Sequence, residues 1–246
     1  MNKNFTKTIK IKGKGWNGLV LKQMDGIETD LLNLVEKRPD KYPFFLESSS
    51  RGNLLNRYSI IFYKPEILLE KNSCEINFLD EFNNLWNQNK IEQEQMIYKN
   101  KCVPFFGGWF IYLGYEIASE IEKKLAIPPS PYLLPDAFAA RVSTSIVYDH
   151  IEKIVFLSSD TKDFSSDFND ILSDLMETGV KDLSSNKKGS IKIYSKGTSD
   201  EHQSQVKSCI DYIYQGEIFQ ANLSRLWRFK VDEELTDIDI YRKLRE

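Results

Sequence analysis

The chain has 246 residues, enough for one large domain or one and a half ordinary ones. Hydrophobic residues at 41% and charged residues at 28% are ordinary globular values, and the formal net charge of -3 argues against general nucleic-acid binding, which needs a basic surface. Three scattered cysteines and two histidines argue against a zinc site, and an odd, sparse cysteine count suits a reducing compartment.

The start of the chain and its apolar runs give no sign of a leader or a membrane span. Residues 1–14 are basic but contain no apolar core of a secretory signal. The longest apolar run, residues 103–115, is interrupted by glycines and is too short to cross a bilayer. We therefore expect a cytoplasmic protein with neither a membrane nor nucleic acid as a partner.

Helices and strands alternate in the first part of the chain. Apolar residues at near-helical spacing occupy residues 27–35, and a short strand at 44–46 follows two prolines. Two β segments, residues 58–63 and 67–69, are joined at a Lys-Pro pair, and an amphipathic helix covers residues 79–86.

The middle of the chain carries a diglycine strand and a predicted hairpin. Gly107 and Gly108 open an aromatic strand that runs to residue 115, and a helix is predicted over residues 117–125. Two β-rich runs, residues 139–148 and 151–158, flank Asp149-His150, a spacing that indicates a hairpin. The apolar stripe of residues 164–176 then predicts a helix packed on the sheet.

Residues 179–190 have the Gly, Ser, Asn and Lys content of an exposed linker, so we predict one domain over residues 1–190 and a second over residues 191–246. In the second domain, Thr198 with Glu201 and Gly216 mark the two ends of a helix. Residues 219–231 alternate apolar and polar, which predicts one long half-buried strand. Thr236 with Asp239 caps a last helix.

Several polar or glycine-rich patterns have ordinary structural explanations beside the functional ones. Gly107-Gly108 lacks the framework of a phosphate-binding loop, and close strand packing explains it better. Glu116 and Glu120 fit exposed acids of a first helical turn better than a metal pair. The polar face of the long strand, which carries Gln220, Asn222 and Ser224, fits cross-strand pairing better than ligand binding.

Four segments, in matching order along the chain, are similar to component I of the chorismate-utilising amination enzymes, aminodeoxychorismate synthase and anthranilate synthase. The segments are residues 45–48 with 57–61, residues 104–116, residues 134–136 and residues 216–224. The resemblance runs from about residue 20 to the end of the chain. It implies an α+β fold with an antiparallel β-sandwich-like core flanked by helices, made of an N-terminal domain and the first strand and helices of an incomplete chorismate-binding domain.

The resemblance also implies a reaction, a cofactor and a partner. In the family, ammonia from a glutamine amidotransferase subunit or domain displaces the ring hydroxyl of chorismate, and Mg²⁺ orients the substrate and stabilises the leaving oxygen. The acid/base lysine and the carboxylates that hold magnesium come from a C-terminal half that we expect to follow residue 246. We therefore assign no catalytic residue and no metal ligand within this chain, and we expect it to be inactive alone.

One small-molecule site can be carried over onto this sequence. In the family, a Glu-Ser pair and a segment ending in Arg-Tyr line a pocket for tryptophan, a feedback inhibitor or a structural ligand. The matching residues are Glu47, Ser48, Leu55, Asn56, Arg57 and Tyr58. Glu47 and the Ser48 hydroxyl can accept hydrogen bonds from an ammonium group, and the backbone near Asn56 can donate to a carboxylate. A serine nucleophile is the other interpretation of this segment, but no motif ties a histidine to it.

Three functions follow from these observations. The first is component I of aminodeoxychorismate synthase, in 4-aminobenzoate and folate synthesis. The second is component I of anthranilate synthase, in tryptophan synthesis, which the four segments do not separate from the first. The third belongs to another class, a catalytically silent module that binds tryptophan or docks to another subunit.

Overall fold

The computed structural model describes residues 5–11, 19–25, 30–48, 56–72, 76–89, 97–98, 101–102, 104–161, 164–178 and 189–245. The chain divides into two compact units, residues 1–183 and 184–246. The division falls within the predicted linker, residues 179–190, and the domain assignment itself stays a prediction.

The first unit contains eleven strands, four α-helices and a 3₁₀ turn among its described residues. In chain order they are β1 (Phe5–Ile11), β2 (Leu19–Asp25), α1 (Leu32–Lys37), β3 (Phe44–Leu46), β4 (Tyr58–Tyr63), β5 (Glu66–Lys71), α2 (Phe78–Asn89), β6 (Ile97–Tyr98), β7 (Lys101–Cys102), β8 (Gly108–Leu113), the 3₁₀ turn Tyr115–Ile117, α3 (Ala118–Ile121), β9 (Ala137–Val142), β10 (Thr144–Asp149), β11 (Ile154–Ser159) and α4 (Phe164–Thr178).

A six-stranded antiparallel sheet in the order β1-β2-β11-β10-β4-β3 forms the larger layer. Helices α1 and α4 cover one of its faces, because both helices and the alternate residues of β4, β10 and β11 are apolar on the facing sides. The buried residues of this layer are Leu31, Leu34, Tyr42, Ile61, Tyr63, Ile146, Val155, Leu157, Phe168, Ile171, Leu172 and Leu175. The predicted helix over residues 164–176 is thus confirmed, although Met176 is exposed rather than packed.

A three-stranded antiparallel sheet in the order β5-β9-β8 lies over the six-stranded sheet. Aromatic rings fill the space between the two sheets: Phe44 stacks on Phe110 at a centroid distance of 4.3 Å, and Phe62 meets Phe110 edge-on at 5.5 Å. The outer face of the small sheet packs against α2 through Phe78, Ala137 and Ala139. The predicted α+β fold with an antiparallel sandwich-like core and flanking helices is therefore confirmed.

One predicted strand is in fact two. The continuous β-rich run over residues 139–148 splits at Ser143, so that β9 belongs to the small sheet and β10 to the large one. A chain that changes sheets in this way forms a corner of the sandwich. The predicted hairpin is present as β10–β11, with Asp149 opposite Ile154.

A charged network joins α4 to the edge of the large sheet. Lys41 Nζ donates to Asp170 at 2.7 Å and to Asp174 at 2.9 Å, while the Tyr42 hydroxyl donates to Asp174 at 2.8 Å. The hydrogen bonds from Lys41 and then from Tyr63 lower the pKa of Asp170 to about 2. Asp170 therefore stays ionised at neutral pH, and its contribution to stability is lost only as the pH falls from about 4 towards 2.

Two strands and two helices lie within the described residues of the second unit: β12 (Ile191–Lys196), α5 (Ser199–Tyr214), β13 (Trp227–Val231) and α6 (Asp237–Leu244). Its predicted helix ends are confirmed. The Thr198 side chain accepts from the Glu201 backbone N–H, Gly216 has φ +77 after α5, and Thr236 and Asp239 form a capping box. The sequence predicts these helix ends because each signal depends on residues that are close together in the chain.

The predicted strand over residues 219–231 is shorter than expected. Only Trp227–Val231 is a strand, and residues 219–226 are irregular and mostly exposed. Its partner β12 ends at Lys196 because Gly197 and the N-cap Thr198 turn the chain into α5. Residues 219–226 therefore have no strand opposite them in β12, and alternation alone does not make a strand.

The second unit buries little of its own apolar surface. Within residues 189–245, the buried side chains are those of Asp239 and Arg242, and none of the buried hydrophobic residues of the chain lies there. Ile193, Tyr194 and Phe219 are more than half exposed. Exposed apolar faces of this kind favour association with another polypeptide.

None of the helices within the described ranges combines the length and the apolar character that crossing a membrane requires.

Candidate functional site

The predicted ligand-binding residues meet at one end of the large sheet. Glu47 and Ser48 follow β3, Asn56 and Arg57 precede β4, and the antiparallel pairing of these two strands sets Leu46 opposite Ile60. The structure therefore brings together Glu47, Ser48, Asn56, Arg57 and Tyr58. Leu55 lies outside the described residues.

Ser48 is held by two hydrogen bonds to strand β4. Its backbone N–H donates to Ser59 Oγ at 3.0 Å, and its hydroxyl donates to the Tyr58 carbonyl at 2.7 Å. Because the hydroxyl proton is directed to Tyr58, the lone pairs of Ser48 Oγ remain the groups that it can offer to a ligand. Ser48 and its neighbour Glu47 are half-buried. The acceptor role expected for this pair is therefore compatible with the geometry.

Arg57 is engaged by a carboxylate from the β10–β11 turn. Its guanidinium donates through Nε and Nη2 to Asp149 Oδ2, with a distance of 2.9 Å for Nε. The guanidinium carbon also lies 4.9 Å from the centroid of the Tyr58 ring. Since the charge of Arg57 is matched by Asp149, the structure favours the backbone of Asn56 and Arg57 over the guanidinium as the donor to a ligand carboxylate.

Asp149 also fixes the turn itself. Its Oδ1 atom accepts from the backbone N–H groups of Ile151 at 3.0 Å and Glu152 at 3.1 Å. Burial opposes ionisation of this side chain, but the hydrogen bonds from Arg57 and the turn amides outweigh it, so the pKa of Asp149 lies below its ordinary value. Asp149 is therefore a buried anion with its oxygens directed to protein groups.

His150 joins the site from the same turn. Its backbone N–H donates to the Arg57 carbonyl at 2.8 Å, and its ring Nε2 lies 2.7 Å from Ser59 Oγ. The ring meets Tyr148 edge-on at 4.8 Å. No sequence motif links His150 to Ser59, which is 91 residues away, and the hairpin signal at Asp149-His150 was the only indication of where this turn would lie.

Ser59 and His150 do not have the surroundings of a catalytic serine and its base. Ser59 and His150 are at the distance of a nucleophile and its base, but Ser59 is 2% exposed and forms part of the strand pairing. The neighbouring carboxylate of Asp149 is used by Arg57 and the turn amides instead of orienting the histidine ring. The serine-nucleophile interpretation of the sequence concerned Ser48 and the two serines after it, which lie outside the described residues, so it stays untested.

The diglycine has a packing role. Gly107 has φ +116, and a β-carbon on it would lie 2.6 Å from the Asp160 carboxyl carbon. Asp160 forms an ion pair with Arg141, whose Nη1 donates to the Gly108 carbonyl at 2.9 Å. Burial raises the pKa of Asp160 although Arg141 opposes the shift. The close packing predicted for Gly107-Gly108 is thus observed, against a side chain of the neighbouring sheet.

The interpretation of Glu120 as an exposed first-turn acid is wrong. Its side chain is 7% exposed, and it accepts from Lys71 Nζ and from the backbone N–H groups of Phe78 at 2.8 Å and Leu79 at 2.9 Å. Glu120 therefore caps helix α2 from outside that helix. Burial opposes its ionisation, but Lys71 and the two amides prevail and lower its pKa. The predicted helix over residues 117–125 is in turn shorter, because α3 ends at Ile121.

The other polar candidates do not form a site. Gln220, Asn222 and Ser224 lie in the irregular, exposed segment before β13 rather than on one face of a strand. Over the described part of the chain, no three His, Cys, Asp or Glu side chains are grouped so that they could hold a metal ion. The expectation that magnesium is held by a C-terminal half stays a prediction from the resemblance.

Comparison with known proteins gives a family and several relatives. The family model described as "chorismate binding enzyme" matches residues 42–246. Anthranilate synthase component 1 of Leptospira biflexa is 27% identical over 244 residues, covering 97% of this chain and 50% of the relative. An anthranilate synthase component I-like protein of Synechocystis is 27% identical over 142 residues, covering 58% of this chain and 28% of the relative.

Among solved structures, anthranilate synthase component I of Streptococcus pneumoniae has a similar fold. The TM-score is 0.57 at 20% sequence identity, and the match covers 80% of this chain and 46% of that one. The chain spans half or less of the length of these relatives.

Proposed function

The chain belongs to the family of chorismate-binding enzymes, and we propose that it is the N-terminal part of component I of an enzyme that aminates chorismate. The observation that carries the proposal is the family match over residues 42–246. The match covers the first compact unit from just before β3 onwards and the whole of the second. The similar fold of a component I structure supports it.

We propose two branches for the product. The first branch is aminodeoxychorismate synthase, in 4-aminobenzoate and folate synthesis, which is our expectation from the resemblance, although the four motif segments do not separate it from anthranilate synthase. The relatives named above are anthranilate synthases or similar to one, an observation that favours the tryptophan branch. The two branches differ in their products, so a product assay separates them.

The proposed reaction needs groups from beyond this chain. The family implies a glutamine amidotransferase partner as the source of ammonia and chorismate as the substrate. From the family resemblance, we propose that magnesium and the acid/base lysine come from a C-terminal part of component I. A cytoplasmic location stays a prediction from the sequence.

We expect residues 1–246 alone to form no product from chorismate, Mg²⁺ and excess ammonium, because none of their side chains is assigned to the chemical step. Ammonium replaces the amidotransferase, so the partner is not limiting. Adding a polypeptide that supplies the C-terminal half of a component I enzyme should restore turnover. Liquid chromatography then identifies the product as anthranilate or aminodeoxychorismate.

Two results would contradict this assignment. Turnover by residues 1–246 alone would mean that the active site lies within them. No turnover in the complemented mixture, with a folded and associated complex, would favour the silent module instead. The exposed apolar residues of the second unit leave an apolar surface to cover, which the first proposal and a subunit-docking module would both explain.

We further propose that the site at the end of the large sheet binds L-tryptophan. Glu47 and Ser48 Oγ would accept from the ammonium group, and the backbone at Asn56 and Arg57 would donate to the carboxylate. The support is geometric, since the structure brings these four residues together and directs the Ser48 hydroxyl proton to the Tyr58 carbonyl, so that its oxygen can still accept a hydrogen bond. In the complemented protein, added apolar residues would cover the indole and strengthen the polar contacts.

The substitution Glu47→Ala should weaken tryptophan binding at least tenfold, because a hydrogen bond to a charged group contributes about 1.5–3 kcal/mol. Calorimetric titration of L-tryptophan into the complemented protein measures the change. Glu177→Ala is the matched control, since Glu177 is an exposed carboxylate on α4 that pairs with Arg38. No heat of binding in the wild type, or equal affinity in both variants, would leave Glu47 and Ser48 as ordinary sheet-end residues.

A further inference from the structure

The β10–β11 turn contacts strand β4 beside the proposed ligand-binding residues. Ser48 lies two residues after the end of β3, and Arg57 lies immediately before the start of β4. From the turn, His150 reaches Ser59, the partner of Ser48, and Asp149 reaches Arg57. Ser48 and Arg57 are therefore both linked to residues that lie about a hundred positions later in the sequence.

The first contact fixes Ser48 through an intermediate serine. His150 Nε2 lies 2.7 Å from Ser59 Oγ, and the same oxygen accepts from the Ser48 backbone N–H at 3.0 Å. A hydroxyl has one proton and two lone pairs, so Ser59 can accept from Ser48 while bonding to the ring nitrogen. The ring is held against Tyr148, which limits its rotation. Ser59 is thereby oriented towards Ser48.

The second contact fixes Arg57, immediately before β4. The His150 backbone N–H donates to the Arg57 carbonyl at 2.8 Å, and Asp149 holds the Arg57 guanidinium while its other oxygen accepts from the turn amides. The turn is therefore bonded to both the guanidinium and the backbone carbonyl of Arg57. A ligand that contacts both Ser48 and the backbone before Tyr58 needs Ser48 and Arg57 at a fixed separation.

We propose that Asp149 and His150 are positioning residues, which hold Ser48, after β3, and Arg57, before β4, in register and so preorganise the site for an amino-acid zwitterion. The inference rests on the proposed function for its ligand, L-tryptophan, but not for the contacts that carry it. Neither residue touches the ligand in this arrangement. Their effect reaches it through Ser59 and Ser48 on one side and through Arg57 on the other.

Substitution of His150 tests the proposal through two readouts. In His150→Ala, the Kd for L-tryptophan in the complemented protein should rise roughly tenfold, the scale of one lost hydrogen bond in a positioned site. Hydrogen exchange at the single amide of Ser48 should accelerate by about the same factor in residues 1–246, because Ser59 loses its orienting partner. Ser59→Ala should reproduce both effects, and the double variant should add little to either.

A conservative variant separates positioning from general destabilisation. The side-chain amide of His150→Gln can reach Ser59 as Nε2 does, so both the Kd and the Ser48 exchange rate should return to within about threefold of the wild type. Ser145→Ala is the control, because Ser145 is on the same strand as the residues before His150, β10, but outside the site. It removes a buried hydrogen bond between the hydroxyls of Ser145 and Ser158, which are 2.7 Å apart. It should leave tryptophan binding and the Ser48 amide unchanged.

The outcomes distinguish this proposal from the one on which it rests. If the wild type binds no tryptophan but His150→Ala still accelerates exchange at Ser48, the ligand assignment fails and the positioning contact stands. If tryptophan binds and neither readout responds to His150→Ala, the positioning role is overturned. Equal losses in His150→Gln and Ser145→Ala would also overturn it, since they would indicate general destabilisation of the sheet.

Discussion

Gly107→Ala is expected to destabilise the first unit by roughly 4 kcal/mol or more, through strain and through loss of a buried ion pair. Gly107 has φ +116, a backbone conformation that residues with a side chain rarely adopt. The added β-carbon would also lie 2.6 Å from the Asp160 carboxyl carbon. Asp160 would have to move away from Arg141, and its side chain is only 4% exposed. A buried charge would then lose its partner.

Calorimetry of thermal unfolding measures this effect, which should lower the Tm of the first unit on the order of 10 °C. Gly216→Ala is the control for backbone strain alone, measured in the unfolding of the second unit, which contains it. Gly216 also has a positive φ, +77, but no heavy atom lies within 4 Å of the β-carbon position. That variant carries the backbone strain without the collision, at about 1 kcal/mol. Similar losses in the two variants would show that Asp160 does not make Gly107 necessary.

Local signals in the sequence were sufficient for much of the fold. The stripe of α4, the N-cap Thr198, the capping box of Thr236 and the glycine after α5 all involve neighbours within one or two helical turns. Each of them reports which face is apolar or where a helix ends. None of them requires knowledge of which distant segment lies opposite.

The features that the sequence concealed depend on distant partners. The run over residues 139–148 is uniformly β-rich, and its division at Ser143 follows only from β9 pairing with β8 while β10 pairs with β4. Similarly, the segment before Trp227 alternates well but has no partner strand in β12. Periodicity reports the potential of a segment to pair, and the pairing itself is decided by the rest of the fold.

The same limit applies to the candidate site. Glu47, Ser48, Arg57 and Tyr58 were found through a resemblance, and the structure places them together. No sequence motif ties His150 to a serine. Strands β4 and β10 nevertheless pair so that Tyr58 lies opposite Asp149, and His150, the residue after Asp149, reaches Ser59. Strand register, which the sequence does not specify across ninety residues, is what brings the turn to the site.

Glu120 has a partner, Lys71, that the sequence does not indicate, and the effect of this contact is large. Glu120→Ala should lower the free energy of unfolding by roughly 3–5 kcal/mol, the usual cost of leaving one half of a buried ion pair. Lys71, 9% exposed, donates to Glu120 and to the Ile76 carbonyl at 2.8 Å. Removing the carboxylate leaves that ammonium buried beside a single neutral acceptor. It also takes the acceptor from the first amides of α2, Phe78 and Leu79.

A double-mutant cycle separates these two contributions. Lys71→Met with Glu120→Gln removes both charges and keeps an acceptor for the α2 amides, so it should cost only about 1–2 kcal/mol. Glu120→Gln alone should cost more than the double variant, because the lysine remains charged in a buried place. Urea unfolding monitored by hydrogen exchange of α2 gives the free energies. If the two single substitutions simply add, with no coupling between Lys71 and Glu120, the ion pair does not hold helix α2 to the small sheet and the buried-charge argument is wrong.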